Sequence, residues 1–293
     1  MTYRSGFVCV IGRPNVGKST LVNALVGTKV AITSDKPQTT RSAIRGILNL
    51  PDAQVVFVDT PGYHKPRNQL GRRLNEAVRS AWSDVDLCLF VVDGAGGVGA
   101  GDERVASDLR SMAAPVVCVV NKLDRMSKSK VAEQLTRASR LGDYDEFVPL
   151  SARTGEQVDL LRDLIVSRMP EGPQYYPDDE SSDQPPPVFV AELIREKLLA
   201  RTRDEIPHSI AVTVEDYDER EDGVLEIHAL VLVERESQKG IVIGRGGEVL
   251  KDAGTEVREE IEALFDRRVY VGLKVKVEKD WQRKDWALDR LGF

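Results

Sequence analysis

The feature that most restricts this chain is an apolar run, Phe7-Val8-Cys9-Val10-Ile11, that passes straight into Gly12-Arg13-Pro14-Asn15-Val16-Gly17-Lys18-Ser19 and on into the helix-forming KSTLVNALV. A strand ending in a glycine loop at a helix N-terminus gathers backbone N–H groups and the positive end of the helix dipole around one point, which suits phosphate groups. In such a loop Lys18 reaches the outer phosphates, Ser19 is placed to ligate Mg2+, and Thr20 completes the GKST end.

The runs FVCVIG, QVVFVDT, LCLFVVD, PVVCVVN and EFVPLS alternate with amphipathic stretches as far as Met169. Nearly unbroken apolar strands between helices predict a doubly wound, mostly parallel α/β sheet, here a P-loop domain over residues 1–169. The segment EGPQYYPDDESSDQPPP is acidic, proline-rich and without apolar periodicity, so residues 170–187 read as an extended linker. Residues 188–293 form a second, α+β module.

Of the 293 residues 41% are apolar, and no apolar run approaches the roughly 18 residues that a membrane-spanning helix needs. A cytoplasmic protein is expected, without a secretory leader. Cys9, Cys88 and Cys118 lie inside apolar runs and read as core thiols, not as a disulfide framework. His64, His208 and His228 lack metal-ligand spacing, so no zinc site is expected.

A phosphate loop alone does not choose a base. Asn121-Lys122-Leu123-Asp124 closes the run PVVCVV, at the carboxyl end of a strand where open α/β sheets bind ligands. A carboxylate at Asp124 accepts hydrogen bonds from the N1–H and N2–H2 edge of guanine, whereas adenine offers a lone pair at N1 and leaves a buried charge unpaired. Lys122 is expected to pack its stem over the base and Asn121 to tie this loop to the phosphate loop. Ser151-Ala152 can supply a backbone N–H to the guanine carbonyl. Asp59-Thr60-Pro61-Gly62 ends QVVFVD, where Asp59 can hold Mg2+ through water and the Gly62 N–H can meet a γ-phosphate. Thr39 and Thr40 fall in SDKPQTTR, the place of a loop that orders around γ-phosphate and Mg2+, with Thr40 the expected ligand. Lys18, Thr40 and Gly62 are therefore the candidates for transition-state and switch roles. Tyr63 stands where many such enzymes carry a water-orienting glutamine, so slow basal hydrolysis is expected, and neither Arg41 nor Arg45 is taken as an arginine finger.

In the second module, Gly244-Arg245-Gly246-Gly247 sits between the apolar segment IVI and a helix from about residue 247 to 265. A GxxG loop lets backbone approach nucleic-acid phosphates, and the order helix, two strands, helix, GxxG, helix, strand fits a type II KH fold that clamps single-stranded RNA. Residues 185–293 carry 18 Lys+Arg against 24 Asp+Glu, while residues 1–184 carry 23 of each, so a uniformly basic RNA face is excluded. The acids concentrate at 215–222, in an expected hairpin turn. Arg245, Lys239 and Lys251 flank the loop, and Lys274 and Lys276 alternate with Leu273, Val275 and Val277 on one strand; together these bases can make one RNA-binding surface. Trp281 and Trp286, in an expected terminal helix, read as core or docking residues.

GRPNVGKST, KPQTTR, DTPG, NKLD and SA, followed by EGPQYYP, AELIREKLL, EIPHS, VIGRGG and VKV..W, resemble the bacterial Era GTPases over nearly the whole chain. The resemblance implies a monomeric GTPase that binds GTP and GDP with Mg2+, binds 16S rRNA near its 3′ end and assists assembly of the 30S subunit. It also implies peripheral association with the inner membrane, and a K+ site at Asn15 that offsets phosphate charge in place of the missing glutamine. SSDQPPPVFVAE departs from the family's more polar lead into AELIREK. Two other readings stand beside it: an RNA chaperone in which nucleotide is structural, and an ATP-dependent kinase or ATPase, against which Asp124 argues.

Overall fold

The computed structural model describes residues 2–36, 38–63, 68–80, 82, 84–203 and 206–292; His64 lies outside them. The chain divides into two units, Met1–Arg67 with Gly71–Asp183, and Asn68–Leu70 with Gln184–Phe293.

The first unit is built from β1 (Arg4–Ile11), α1 (Lys18–Val26), β2 (Ile44–Leu50), β3 (Ala53–Asp59), α2 (Gln69–Ser80), β4 (Leu87–Asp93), α3 (Ala100–Leu109), β5 (Val116–Asn121), α4 (Lys128–Ala138), β6 (Glu146–Pro149) and α5 (Val158–Arg168). Among the described residues its sheet has six strands in the order β2-β3-β1-β4-β5-β6, parallel throughout except for β2 against β3. Strict alternation sends neighbouring side chains to opposite cores. Val8, Val10, Leu89 and Val119 join α1 and α5 residues on one face, while Cys9, Ile11, Cys88, Phe90 and Cys118 join Val105 and Ala138 on the other. Both faces are covered, which is why these strands read as unbroken apolar runs. All three cysteines are free and buried, and burial pushes the Cys118 thiol up to about 12.

The stretch expected as an extended linker is hydrogen-bonded to the first unit as far as Asp183. Glu171 bridges Arg4, the Gly172 N–H donates to the Tyr3 carbonyl, and Gln54 Oε1 accepts from the Tyr175 and Tyr176 N–H groups at 2.8 and 3.0 Å. Asn49 Nδ2 donates to the Asp178 and Glu180 carbonyls, the Ile47 N–H to Ser181, and Ser182 pairs with Gly46. These residues cover the open edge of β2 and satisfy backbone groups that an edge strand leaves exposed.

The second unit contains α6 (Pro186–Arg201), the single turn α7 (Ile206–Ser209), β7 (Ala211–Glu219), β8 (Leu225–Val233), α8 (Glu236–Ile243), α9 (Glu248–Phe265), β9 (Val269–Val277) and α10 (Asp285–Arg290). The prolines of the expected linker thus open α6, with Pro in its first turn, a position where the missing N–H costs nothing. Its sheet runs β7-β8-β9, antiparallel then parallel. The acidic segment 215–222 is strand as far as Glu219, so the turn is shorter than expected. Trp281 lies in a 3-10 turn ahead of α10, not in one helix with Trp286. It is fully buried and donates from Nε1 to the Ser209 carbonyl at 2.9 Å, whereas Trp286 is exposed.

Candidate functional site

The phosphate loop joins β1 to α1, and Gly17 caps the helix with φ 97°. That left-handed backbone favours glycine, and a Cβ there would stand 2.4 Å from Asn121 Nδ2, so the loop and the Asn121 loop can close on each other only at a glycine. Asn121 Nδ2 donates to the Val16 carbonyl at 2.9 Å, the tie expected of it. The Lys122 ammonium donates to the Asn15 carbonyl at 2.6 Å and to Asp93 Oδ2 at 2.7 Å, which fixes the far end of the stem expected to lie over the base. Asn15 turns its amide to the Asp35 carbonyl at 2.6 Å.

Ser19, Thr40 and Asp59 meet, although 40 residues separate the first from the last. Ser19 Oγ donates to Asp59 Oδ2 at 2.6 Å, Thr40 Oγ1 lies 2.9 Å from Ser19 Oγ, and it lies 3.3 Å from Asp59 Oδ2. Asp59 is fully buried, and among the described residues its Oδ1 has no hydrogen-bond donor. Burial raises its carboxyl pKa despite Lys18, Ser19 and Thr40. Burial also lowers the Lys18 ammonium to about 8, against the attraction of Asp59; among the described residues this Nζ donates only to the Gly12 and Arg13 carbonyls, at 3.3 and 3.1 Å. For both groups burial outweighs their mutual attraction. Two hydroxyls, an orphaned carboxylate oxygen and a desolvated ammonium suit a divalent cation and phosphates that bring the complementary charge.

Around this centre, Thr60 donates from its hydroxyl to the Val10 carbonyl at 2.8 Å, and Pro61 leads to Gly62. Gly62 packs so tightly on Pro14 that a Cβ there would come within 2.8 Å of its backbone. The Tyr63 N–H donates to the Gly12 carbonyl at 3.2 Å, and its ring lies against Trp82 with the hydroxyl accepting from Arg79. Arg41 is buried, and Arg45 is paired with Asp183 at 2.7 Å.

At the base-selecting end, Ser151 Oγ donates to Asp124 Oδ1 at 2.7 Å. Among the described residues the buried Oδ2 has no hydrogen-bond donor; the exposed guanidinium of Arg153 comes within 3.0 Å of it, near enough for attraction but not aligned as a bond. The N–H groups expected to meet a guanine carbonyl are engaged: Ser151 donates to the Glu156 carbonyl, and Ala152 to Asn121 Oδ1 at 3.0 Å. A base carbonyl would share the Ala152 donor with Asn121.

Sequence reasoning missed Asp93, Asp102 and Arg153. Asp93 ends the run LCLFVVD at the carboxyl end of β4, a position that marks ligand sites in such sheets. Asp102 is fully buried and holds Arg13 of the phosphate loop at 2.7 Å, while Arg13 Nη2 donates to the Gly97 carbonyl.

In the second unit α8 ends at Gly244 (φ 78°), and Arg245–Gly247 make a 3-10 turn in which Gly246 (φ 64°) and Gly247 (φ 82°) are left-handed before α9 begins. Arg245, Gly246 and Lys251 are exposed and Lys239 is half-buried, so the loop presents backbone and charge together. Lys274 and Lys276 are also exposed, but on another surface. A Cβ at Gly254 of α9 would lie 3.4 Å from Leu273, which places the odd-numbered residues of β9 against that helix. Alternation then puts Lys274 and Lys276 on the opposite sheet face, apart from the α9 side that carries Arg245 and Lys251.

The profile of the 50S ribosome-binding GTPase family matches residues 7–122, and that of the KH domain matches residues 205–282. The chain is similar to GTPase Era of Mycobacterium avium (strain 104), 50% identical over 296 residues with 99% of each chain covered. It is equally similar to GTPase Era of Mycobacterium tuberculosis (strain ATCC 25177 / H37Ra), 50% identical over 297 residues. Among solved structures it resembles Era in complex with MgGDPNP and nucleotides 1506–1542 of 16S ribosomal RNA, with TM-score 0.95, 36% identity and 99% of each chain covered. A tyrosine-to-alanine variant of Aquifex aeolicus Era bound to GDP·AlF4− matches with TM-score 0.94, again at 36% identity over 99% of each chain. With half of its residues identical along essentially its full length, a phosphate loop tied to a guanine-type loop and a KH module later in the sequence, the chain belongs to the Era family of GTPases.

Proposed function

We propose that this GTPase uses GTP to control an RNA-binding module, binding 16S rRNA near its 3′ end and assisting assembly of the 30S subunit. The observation that carries the nucleotide half is the convergence of Ser19, Thr40 and Asp59, which draws the Thr40 loop onto the end of the phosphate loop. Ser19 and Thr40 would hold Mg2+ directly and Asp59 through water, and the ion would offset phosphate charge. Lys18 binds the outer phosphates and the Gly62 N–H meets the γ-phosphate, so both loops sense whether that group is present. Asp124 and the Ala152 N–H select guanine, and Gly12–Thr20 cradle the phosphates.

Hydrolysis forms a bond from a water oxygen to the γ-phosphorus and breaks the bond from that phosphorus to the β–γ bridging oxygen, giving GDP and phosphate. With Tyr63 after DTPG and Arg45 committed to Asp183, neither a glutamine nor Arg45 serves the attacking water. Turnover is therefore slow unless a further charge arrives. Asn15 is the residue that would hold K+ for that purpose.

On the RNA side, Gly244–Gly247 clamp the backbone of a single strand, with Lys239, Arg245 and Lys251 near the phosphates. Lys274 and Lys276 would add charge from the other sheet face. The protein works as a monomer in the cytoplasm. Among the described residues no helix is long and apolar enough to cross a membrane; peripheral inner-membrane association is proposed on family resemblance, and vesicle flotation tests it.

Crosslinking to total cellular RNA with GDPNP or GDP bound, with sites mapped, tests the whole reading. Signal confined to the 3′-end region of small-subunit rRNA and dependent on nucleotide is expected. If RNA and ribosome binding are the same with both nucleotides, the switch is wrong and the nucleotide is structural, in which case Lys18→Ala spares function while Gly246→Asp abolishes it.

A further inference from the structure

A groove lies between α3 and α4. It is open to solvent, offers about 370 Å3 and is lined by Val98, Glu103, Arg110, Arg137, Arg140 and Leu141. That volume is within the range of about 300–1,000 Å3 of small-ligand pockets. Arg110 follows the last residue of α3, Arg137 lies in the last turn of α4, and Arg140 stands just beyond it. The dipoles of two helix C-termini account for arginine at each place singly. They do not require three guanidinium groups to line one recess.

Arg137 pairs with Glu133 along its own helix at 2.8 Å. Among the described residues the Arg110 and Arg140 guanidinium groups make no hydrogen bond or ion pair, and both residues are exposed. Residues 1–184 are balanced in charge, so this concentration stands against a neutral background. One wall is rigid: Asp102 accepts from the Gly99 N–H at 2.9 Å and holds Arg13 of the phosphate loop, which fixes the first turn of α3 and the adjoining Glu103.

We propose that this groove is a second RNA contact, in which Arg110, Arg137 and Arg140 hold backbone phosphates and the Glu103 carboxylate accepts a ribose 2′-hydroxyl. The inference rests on the reading that the chain binds RNA, and extends it to a site that the GxxG loop does not provide. Guanidinium groups match phosphate oxygens in pairs of parallel hydrogen bonds. Glu103 repels phosphates and carboxylates alike, so it favours a polyanion that carries a hydroxyl donor beside its charges. A ribose 2′-hydroxyl donates to it, whereas a run of Asp and Glu side chains offers no such donor.

The test uses the full chain with a 16S rRNA transcript and, separately, a short single-stranded RNA that fills only the GxxG loop. The variants are R110A/R140A, R110K/R140K and G246D, the last also combined with R110A/R140A. In R110A/R140A the salt slope of transcript binding should become shallower by about one to two, with at least tenfold weaker binding. Short-RNA affinity and GTP turnover should be unchanged, and R110K/R140K should keep most of the slope. G246D should lose the short RNA but retain a weaker, salt-sensitive hold on the transcript that disappears in the combined variant. An unchanged transcript slope and affinity in R110A/R140A overturns the groove. Displacement of transcript from G246D by polyglutamate better than by RNA of equal charge also overturns it, assigning the groove to an acidic protein. If G246D binds both RNAs as the parent does, the GxxG reading falls instead, and the groove is still judged by the R110A/R140A pair.

Discussion

Arg45 Nη1 lies 2.7 Å from Asp183 Oδ2, joining the strand that follows the Thr40 loop to the last residue of the first unit. The Arg45 carbonyl accepts from Ser182 Oγ at 2.8 Å, and the neighbouring Ile47 N–H donates to Ser181. A shift of β2 on nucleotide exchange would therefore reach the chain just ahead of α6. Arg45 is about half exposed, so the ion pair itself adds little stability, roughly 0.5 kcal/mol. Asp183→Ala should leave the melting temperature within a few degrees of the parent while speeding amide exchange at Ile47 severalfold. Unaltered exchange there would show that the clasp does not hold the strap.

Asp124→Asn exchanges an acceptor pair for one acceptor and one donor. The amide clashes with one of the two guanine donors, so GTP affinity should fall about fivefold to 150-fold, or 1–3 kcal/mol. Xanthosine triphosphate carries a carbonyl in place of the 2-amino group and should bind the variant better than GTP. Competition against a fluorescent GDP analogue measures both; retained guanine preference would remove Asp124 from base recognition.

The depressed Lys18 ammonium gives nucleotide binding a pH dependence with a definite sign. In the free protein Lys18 loses its proton near pH 8, and bound phosphates hold that proton more tightly. Affinity should be full below about 8 and fall as pH rises through it, by at most tenfold per unit. Calorimetric titration with GDP from pH 7 to 9.5 should also record proton uptake on the alkaline side. A flat profile across that range counts against a neutralised lysine in the loop.

Gly17→Ala should be costly twice over. The new methyl would meet Asn121 Nδ2 at 2.4 Å, and alanine disfavours the left-handed backbone at φ 97°. A loss of about 1–3 kcal/mol in stability is expected, together with weaker nucleotide binding because the Asn121 bond to Val16 opens. Thermal melts with and without GDP separate the two effects.

The nucleotide site was legible wherever a strand end and a local motif coincide. GKS after β1, DTPG after β3 and NKLD after β5 are contiguous in sequence, and parallel pairing brings their ends to one edge. The strap over β2 was not legible, because what binds it is Gln54, Asn49 and the main chain of an edge strand, none of which leaves an apolar period. For the same reason α8 was nearly invisible. Gln238 Oε1 accepts from the Glu234 and Arg235 N–H groups, a start signal carried by one amide, while only Val242 of the helix is buried. The placement of Lys274 and Lys276 needed the knowledge of which strand face α9 covers; alternation alone gives two faces without saying which one neighbours the loop.

The threefold interleaving of sulfur into the central strands has a use at the bench. Because Cys9, Cys88 and Cys118 are all sealed within the sheet, a cysteine introduced on an exposed helix would be the one thiol open to a maleimide dye in the native protein. Pairs of such labels, one in each unit, would let fluorescence transfer follow the two parts of the molecule through a GTPase cycle without replacing any native residue of the core.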